Sequence, residues 1–119
     1  MDIHFTARKF KAHSVVKEHA ITELEKIGKF YDGIVRADII LSYQRASNSL
    51  KTAEINLRVH GTTLTATEHS EEFLKSIDLA VAKIERQLSK YKSKLQKKDK
   101  RILRRVKEKK ISVESGEDD

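Results

Sequence analysis

The chain has 119 residues, 38% of them apolar, enough for one compact core and too few for two ordinary domains. It holds no cysteine, which excludes disulfides and thiol chemistry, and no run reaches the roughly 18 apolar residues of a membrane span. The net charge of +7 is divided unevenly: residues 1–82 carry eleven basic and eleven acidic side chains, residues 83–110 carry fourteen and three, and residues 111–119 carry four acids alone.

In chain order, Ile3, Phe5 and Ala7 alternate with His4, Thr6 and Arg8, which predicts a strand with one buried face. Ser14 is placed to cap a helix whose Val16, Ala20, Leu24 and Ile27 keep helical spacing, and Gly28 to stop it. Val35, Ala37, Ile39, Leu41 and Tyr43 alternate, as do Ala53, Ile55, Leu57 and Val59. Two strands joined by a polar loop from Arg45 to Ser49 are expected. His60-Gly61 then supplies a tight hairpin with a residue tolerant of positive φ, and Leu64 and Ala66 continue a fourth strand.

A second helix is expected from near Ser70, read as its cap, with Glu71 and Glu72 at the positive end of its dipole. Its apolar seam is Ile77, Val81, Ile84, Leu88, Tyr91 and Leu95, and Ile102 and Val106 can extend it. The end, SVESGEDD, reads as disordered. The order strand, helix, three strands, helix predicts an α+β fold of two layers. In it a four-stranded sheet carries both helices on one face, as in a double-stranded RNA-binding domain, and leaves the other face solvated.

At about 100° per residue, Lys83, Arg86, Lys90, Lys94 and Lys97 fall within an arc of roughly 80°, about 140° from the seam. One face packs and another presents cations. A neutral body with such a row suits a polyanion, and phosphate contacts along it should be salt-dependent. Arg86 can grip a phosphate with two parallel hydrogen bonds, whereas the lysines act as mobile point charges. The blander alternative is a solvated helix face, but such faces mix signs. A membrane-surface or calmodulin-target helix would need a broad free apolar face, and here the seam is required by the sheet.

Enzyme activity is not expected. His4, His13, His19, His60 and His69 form no HExxH spacing, and neither a glycine-rich phosphate loop nor a nucleophile signature is present. Glu54, Asn56 and Arg58 read as solvated positions of the third strand. The opening MDIHFTARKF lacks the apolar core of a secretion signal, so a cytoplasmic location is expected.

AEINLRVHG and TATEHSEEFLKSIDLAVAKIERQLSKYKSKL together resemble the ribosome hibernation promoting factor and ribosome-associated inhibitor family (protein Y, sigma-54 modulation protein) in its short form. The specific signal is Ile77-Asp78 ahead of Ile84-Glu85-Arg86-Gln87-Leu88, then Lys90, Lys92 and Lys94. FTARKFKAHS lacks the glycine and the acidic residue common before the helix cap in relatives, and Leu74 stands where an aromatic residue is usual.

The resemblance implies a ribosome-binding domain over residues 1–95 and a charged tail over 96–119, basic then acidic and partly disordered. It implies docking on ribosomal RNA of the small subunit, in the channel of messenger RNA and of A- and P-site transfer RNA, with inhibition by steric competition under stress. Lys83, Arg86, Lys90, Lys92, Lys94 and Lys97 would face the RNA, with Lys26 and Lys29 of the first helix as further contacts. No cofactor, metal, membrane or small-molecule substrate is implied. Some members carry a second domain that pairs ribosomes, and this chain's short extension favours inhibition of single ribosomes. Two other readings of the same helix are a general structured-RNA-binding module or RNA chaperone, and a surface for an acidic protein such as a transcription factor.

Overall fold

The computed structural model describes residues 1–44 and 50–111, with side chains through Leu95. The expected loop from Arg45 to Ser49 and the end SVESGEDD lie outside the described residues, as do the side chains of Lys97, Ile102 and Val106. Two compact units are present, Met1–Arg86 and Gln87–Asp119.

The elements run β1 (Asp2–Ala7), α1 (Ser14–Phe30), β2 (Ile34–Gln44), β3 (Leu50–Val59), β4 (Thr62–Ser70) and α2 (Phe73–Ile111). They make one sheet in the order β1-β2-β3-β4. β1 lies parallel to β2, which requires a crossover, and α1 supplies it; the other two pairings are antiparallel. The α+β sandwich expected from the sequence is therefore the observed one.

Register sets which side chains share a face. Phe5 sits opposite Ile39, Ile39 opposite Ile55, and Ile55 opposite Ala66, while Ala37 faces Leu57 and Leu41 faces Ala53. Of these, all but Phe5 are buried, together with Ala20, Leu24 and Ile27 of α1 and Ile77, Ala80, Val81 and Ile84 of α2. The alternate residues Asp38, Glu54, Asn56 and Arg58 point away, onto the open face. In the second unit Leu88 is buried, and Tyr91 and Leu95 are half-buried.

Four local expectations need correction. Ser14 is the first helical residue and not the cap; His13 holds that position, without a side-chain hydrogen bond. Gly28 does not end α1, which continues to Phe30 and closes with the Tyr31 N–H on the Ile27 carbonyl at 3.2 Å. The Met1 methyl occupies the space a Cβ at 28 would need, 2.6 Å away, so this glycine permits a close approach. Val35 does not face inward: an irregularity between Ile34 and Arg36 buries Ile34 and leaves Val35 57% exposed. An extra residue in one strand reverses the facing of everything before it.

The fourth concerns Ser70, which is the last residue of β4, while α2 starts at Phe73. Its hydroxyl accepts the Glu72 N–H at 3.2 Å and lies 2.6 Å from the Ser76 hydroxyl, which donates to the Lys51 carbonyl at 2.7 Å. It turns the chain between strand and helix, as serine does in short turns, instead of capping the helix. The hairpin expectation stands: Val59 pairs with Thr62 across His60-Gly61, and Gly61 has φ of +87°.

Candidate nucleic-acid interface

The cationic residues of α2 differ in how far they are committed within the protein. In the first unit, the Lys83 ammonium lies 3.5 Å from the Glu68 carboxylate of β4, with both side chains part-exposed. Arg86 is exposed, and among the described residues no carboxylate pairs with it. In the second unit Lys90 and Lys94 are exposed and Lys92 is half-buried. Lys92 lies about 160° from the Arg86–Lys94 arc at helical spacing, on the flank of the apolar seam, which accounts for its partial burial.

The α1 candidates divide as well. Lys26 pairs with Glu23 at 2.9 Å, one helical turn back. Its pKa is raised, first by that hydrogen bond and charge, and further by Asp78 and Glu85 of α2. Much of its field is thus compensated within the protein. Lys29 is exposed in the last turn of α1, where the helix dipole favours a cation. Between the helices, His19 Nε2 lies 2.6 Å from Asp78 Oδ1, which ties the middle of α1 to the start of α2.

The open sheet face is internally compensated. The Arg36 guanidinium donates to both Asp38 oxygens at 3.0 to 3.1 Å, and this pairing raises its pKa. Asn56 donates to Glu54 at 3.0 Å and accepts from Thr65 at 2.9 Å. Among the described residues no group of three histidine, aspartate or glutamate side chains could hold a metal ion. No described helix is long and apolar enough to cross a membrane.

The residues Lys9, Phe10 and Lys11, in the loop between β1 and α1, line a cavity of about 740 Å³. A signal was available: an aromatic side chain between two lysines in the loop before a helix.

The sequence matches, over residues 3–96, the family described as Sigma 54 modulation protein / S30EA ribosomal protein. It is 24% identical over 98 residues to the ribosome hibernation promotion factor of Bacillus subtilis (strain 168), covering 82% of this chain and 52% of that one. It is 25% identical over 95 residues to the ribosome hibernation promoting factor of Klebsiella oxytoca, covering 80% and 97%. The chain thus spans about half of the first relative's length and nearly all of the second's. Among solved structures, a ribosomal subunit interface protein from Coxiella burnetii superposes with a TM-score of 0.71 at 29% identity, covering 78% of this chain and 99% of that one. The N-terminal domain of Thermus thermophilus Protein Y gives 0.67 at 22% identity, with 76% and 99% covered, and bears on the fold alone.

Proposed function

This chain belongs to the Sigma 54 modulation protein / S30EA ribosomal protein family, and from that premise we propose that it binds the small ribosomal subunit and holds ribosomes inactive. The cationic side of α2 lies along ribosomal RNA in the channel of messenger RNA and of A- and P-site transfer RNA. Inhibition is occupancy: while the protein is seated, neither ligand enters. The observation that carries this reading is the exposure of Arg86, Lys90 and Lys94 on α2, with no carboxylate paired to them among the described residues, whereas Lys26, Arg36 and Lys83 each face one. Contacts to phosphate alone suffice for such a task, because a fixed RNA shape is being matched and no sequence has to be read.

Within this reading Arg86, Lys90 and Lys94 dominate, and Lys97 and Lys29 add to them. Lys83 and Lys26 contribute less, since each already faces a carboxylate. Lys92 acts from the flank. Co-sedimentation with ribosomes tests the proposal: the protein should travel with small subunits at low salt, and the triple variant R86E/K90E/K94E should remain in the supernatant. Equal sedimentation of that variant would refute it. Free duplex RNA at equal nucleotide concentration should not displace the protein, and displacement would favour a general RNA-binding module.

A further inference from the structure

We propose that the cavity at the end of the sandwich where both helices begin binds a nucleoside phosphate, free or as an unstacked nucleotide of an RNA strand. The topology brings five segments to this end. They are the loop after β1, the start of α1, the end of β2, the start of β3 and the start of α2. The cavity's volume of about 740 Å³ falls in the usual range for small-molecule sites.

One wall is aromatic. Phe10 and Phe73 stack 4.9 Å apart with 7° between their planes, and the part-exposed Tyr43 lies on the same cavity. Flat rings of this kind suit a planar base, whichever base it is. The rim is cationic: Lys9, Lys11 and Lys51 oppose a single carboxylate, that of Glu72. Lys51 is held in place by donating to the Glu71 carbonyl at 3.1 Å, with its ammonium 5.6 Å from the Tyr43 ring centre and 5.9 Å from that of Phe73.

Two further features favour an anion there. Residues at the N-terminal ends of both helices line this cavity, which sets the positive ends of their dipoles beside it. Lys9 also has φ of +63°, a left-handed conformation that is unfavourable for a non-glycine residue. It turns the loop that carries the two lysines on either side of Phe10. An acidic peptide would have no use for the stacked rings, and an apolar ligand none for the lysines. A base carrying phosphate uses both.

The residues lining the site include none of the cations assigned to ribosomal RNA, and its test needs no ribosome, so it stands or falls separately from the ribosome-binding reading. The full chain is titrated, with backbone amide NMR as the readout, against ATP, inorganic tripolyphosphate and a short oligoadenylate. ATP or the oligoadenylate should shift the amides of Phe10, Tyr43 and Phe73 saturably, with a Kd below about 1 mM for ATP. K11E should weaken binding about tenfold. F10L keeps apolar bulk and removes the ring; it should weaken ATP while leaving tripolyphosphate unchanged. Saturation by ATP identifies free nucleotide as a sufficient ligand, and saturation by the oligoadenylate alone identifies an RNA strand. Equal binding of ATP and tripolyphosphate, indifference to F10L, or shifts confined to residues 83–94 would overturn the proposal.

Discussion

Gly28 and Gly61 are the same residue type with opposite requirements. At Gly61 the backbone has φ of +87° and open space around it, so Gly61→Ala should destabilise by about 1 kcal/mol through backbone strain alone. At Gly28 the helical backbone is ordinary, and the obstacle is the end of the flexible, 47% exposed Met1 side chain. Gly28→Ala should therefore stabilise by up to about 1 kcal/mol, because Met1 moves aside and helix propensity improves. Urea unfolding of both variants reads the two signs. Ser76 has a third kind of requirement: it is fully buried and donates to the Lys51 carbonyl. Ser76→Val should cost about 1–3 kcal/mol in the same assay, since it removes the donor of a part-buried hydrogen bond. A serine inside a helix gives no sign in the sequence of a partner that distant along the chain.

Among the elements, β2 shows how a periodic pattern can be right in kind and wrong by one residue. Alternation assigned Val35 to the core, yet the irregularity after Ile34 leaves that valine exposed and Ile34 buried. Ile34→Ala should cost about 2–4 kcal/mol while Val35→Thr stays within about 0.5 kcal/mol, as measured by thermal or denaturant unfolding. Strict alternation predicts the reverse. In α2 the seam through Leu88 was legible because side chains four and three apart share a helix face. Its start was displaced because Ser70 continues β4, pairing with Lys51, before the chain turns. Whether a good capping residue is used as one depends on how far the preceding strand finds a partner.

For the whole molecule, charge placement gives two expectations. With about four phosphate contacts, ribosome affinity should fall about a hundredfold between about 50 and 200 mM salt, and R86E/K90E/K94E should flatten that slope; filter binding measures both. The second concerns pH. Lys26 is raised above 10.5 by Glu23, so the pair's contribution is complete below that value and is lost only as pH rises through the higher folded value. The difference in melting temperature between the wild type and Glu23→Gln should thus stay constant from about pH 6 to 9 and shrink only as pH rises past the ordinary lysine value. We also propose that residues 1–95 fold without the charged remainder, which circular dichroism and a cooperative melt of that fragment would check.

What the sequence determined by itself was whatever follows from local geometry: the alternating strands, the covered face of the sheet, the glycine hairpin, the apolar seam of α2 and the cationic arc opposite it. Strand and helix geometry fix side-chain direction within a few residues, so spacing is enough. Only the tertiary structure decided which cations are already spent. Lys83 meets Glu68 from a neighbouring strand, and Lys26 feels Asp78 and Glu85 from the other helix, whereas Arg86 meets no carboxylate among the described residues. It also brought Phe10 against Phe73 and so joined segments far apart in the chain around one cavity. Such contacts depend on how distant elements pack, and no local period encodes them.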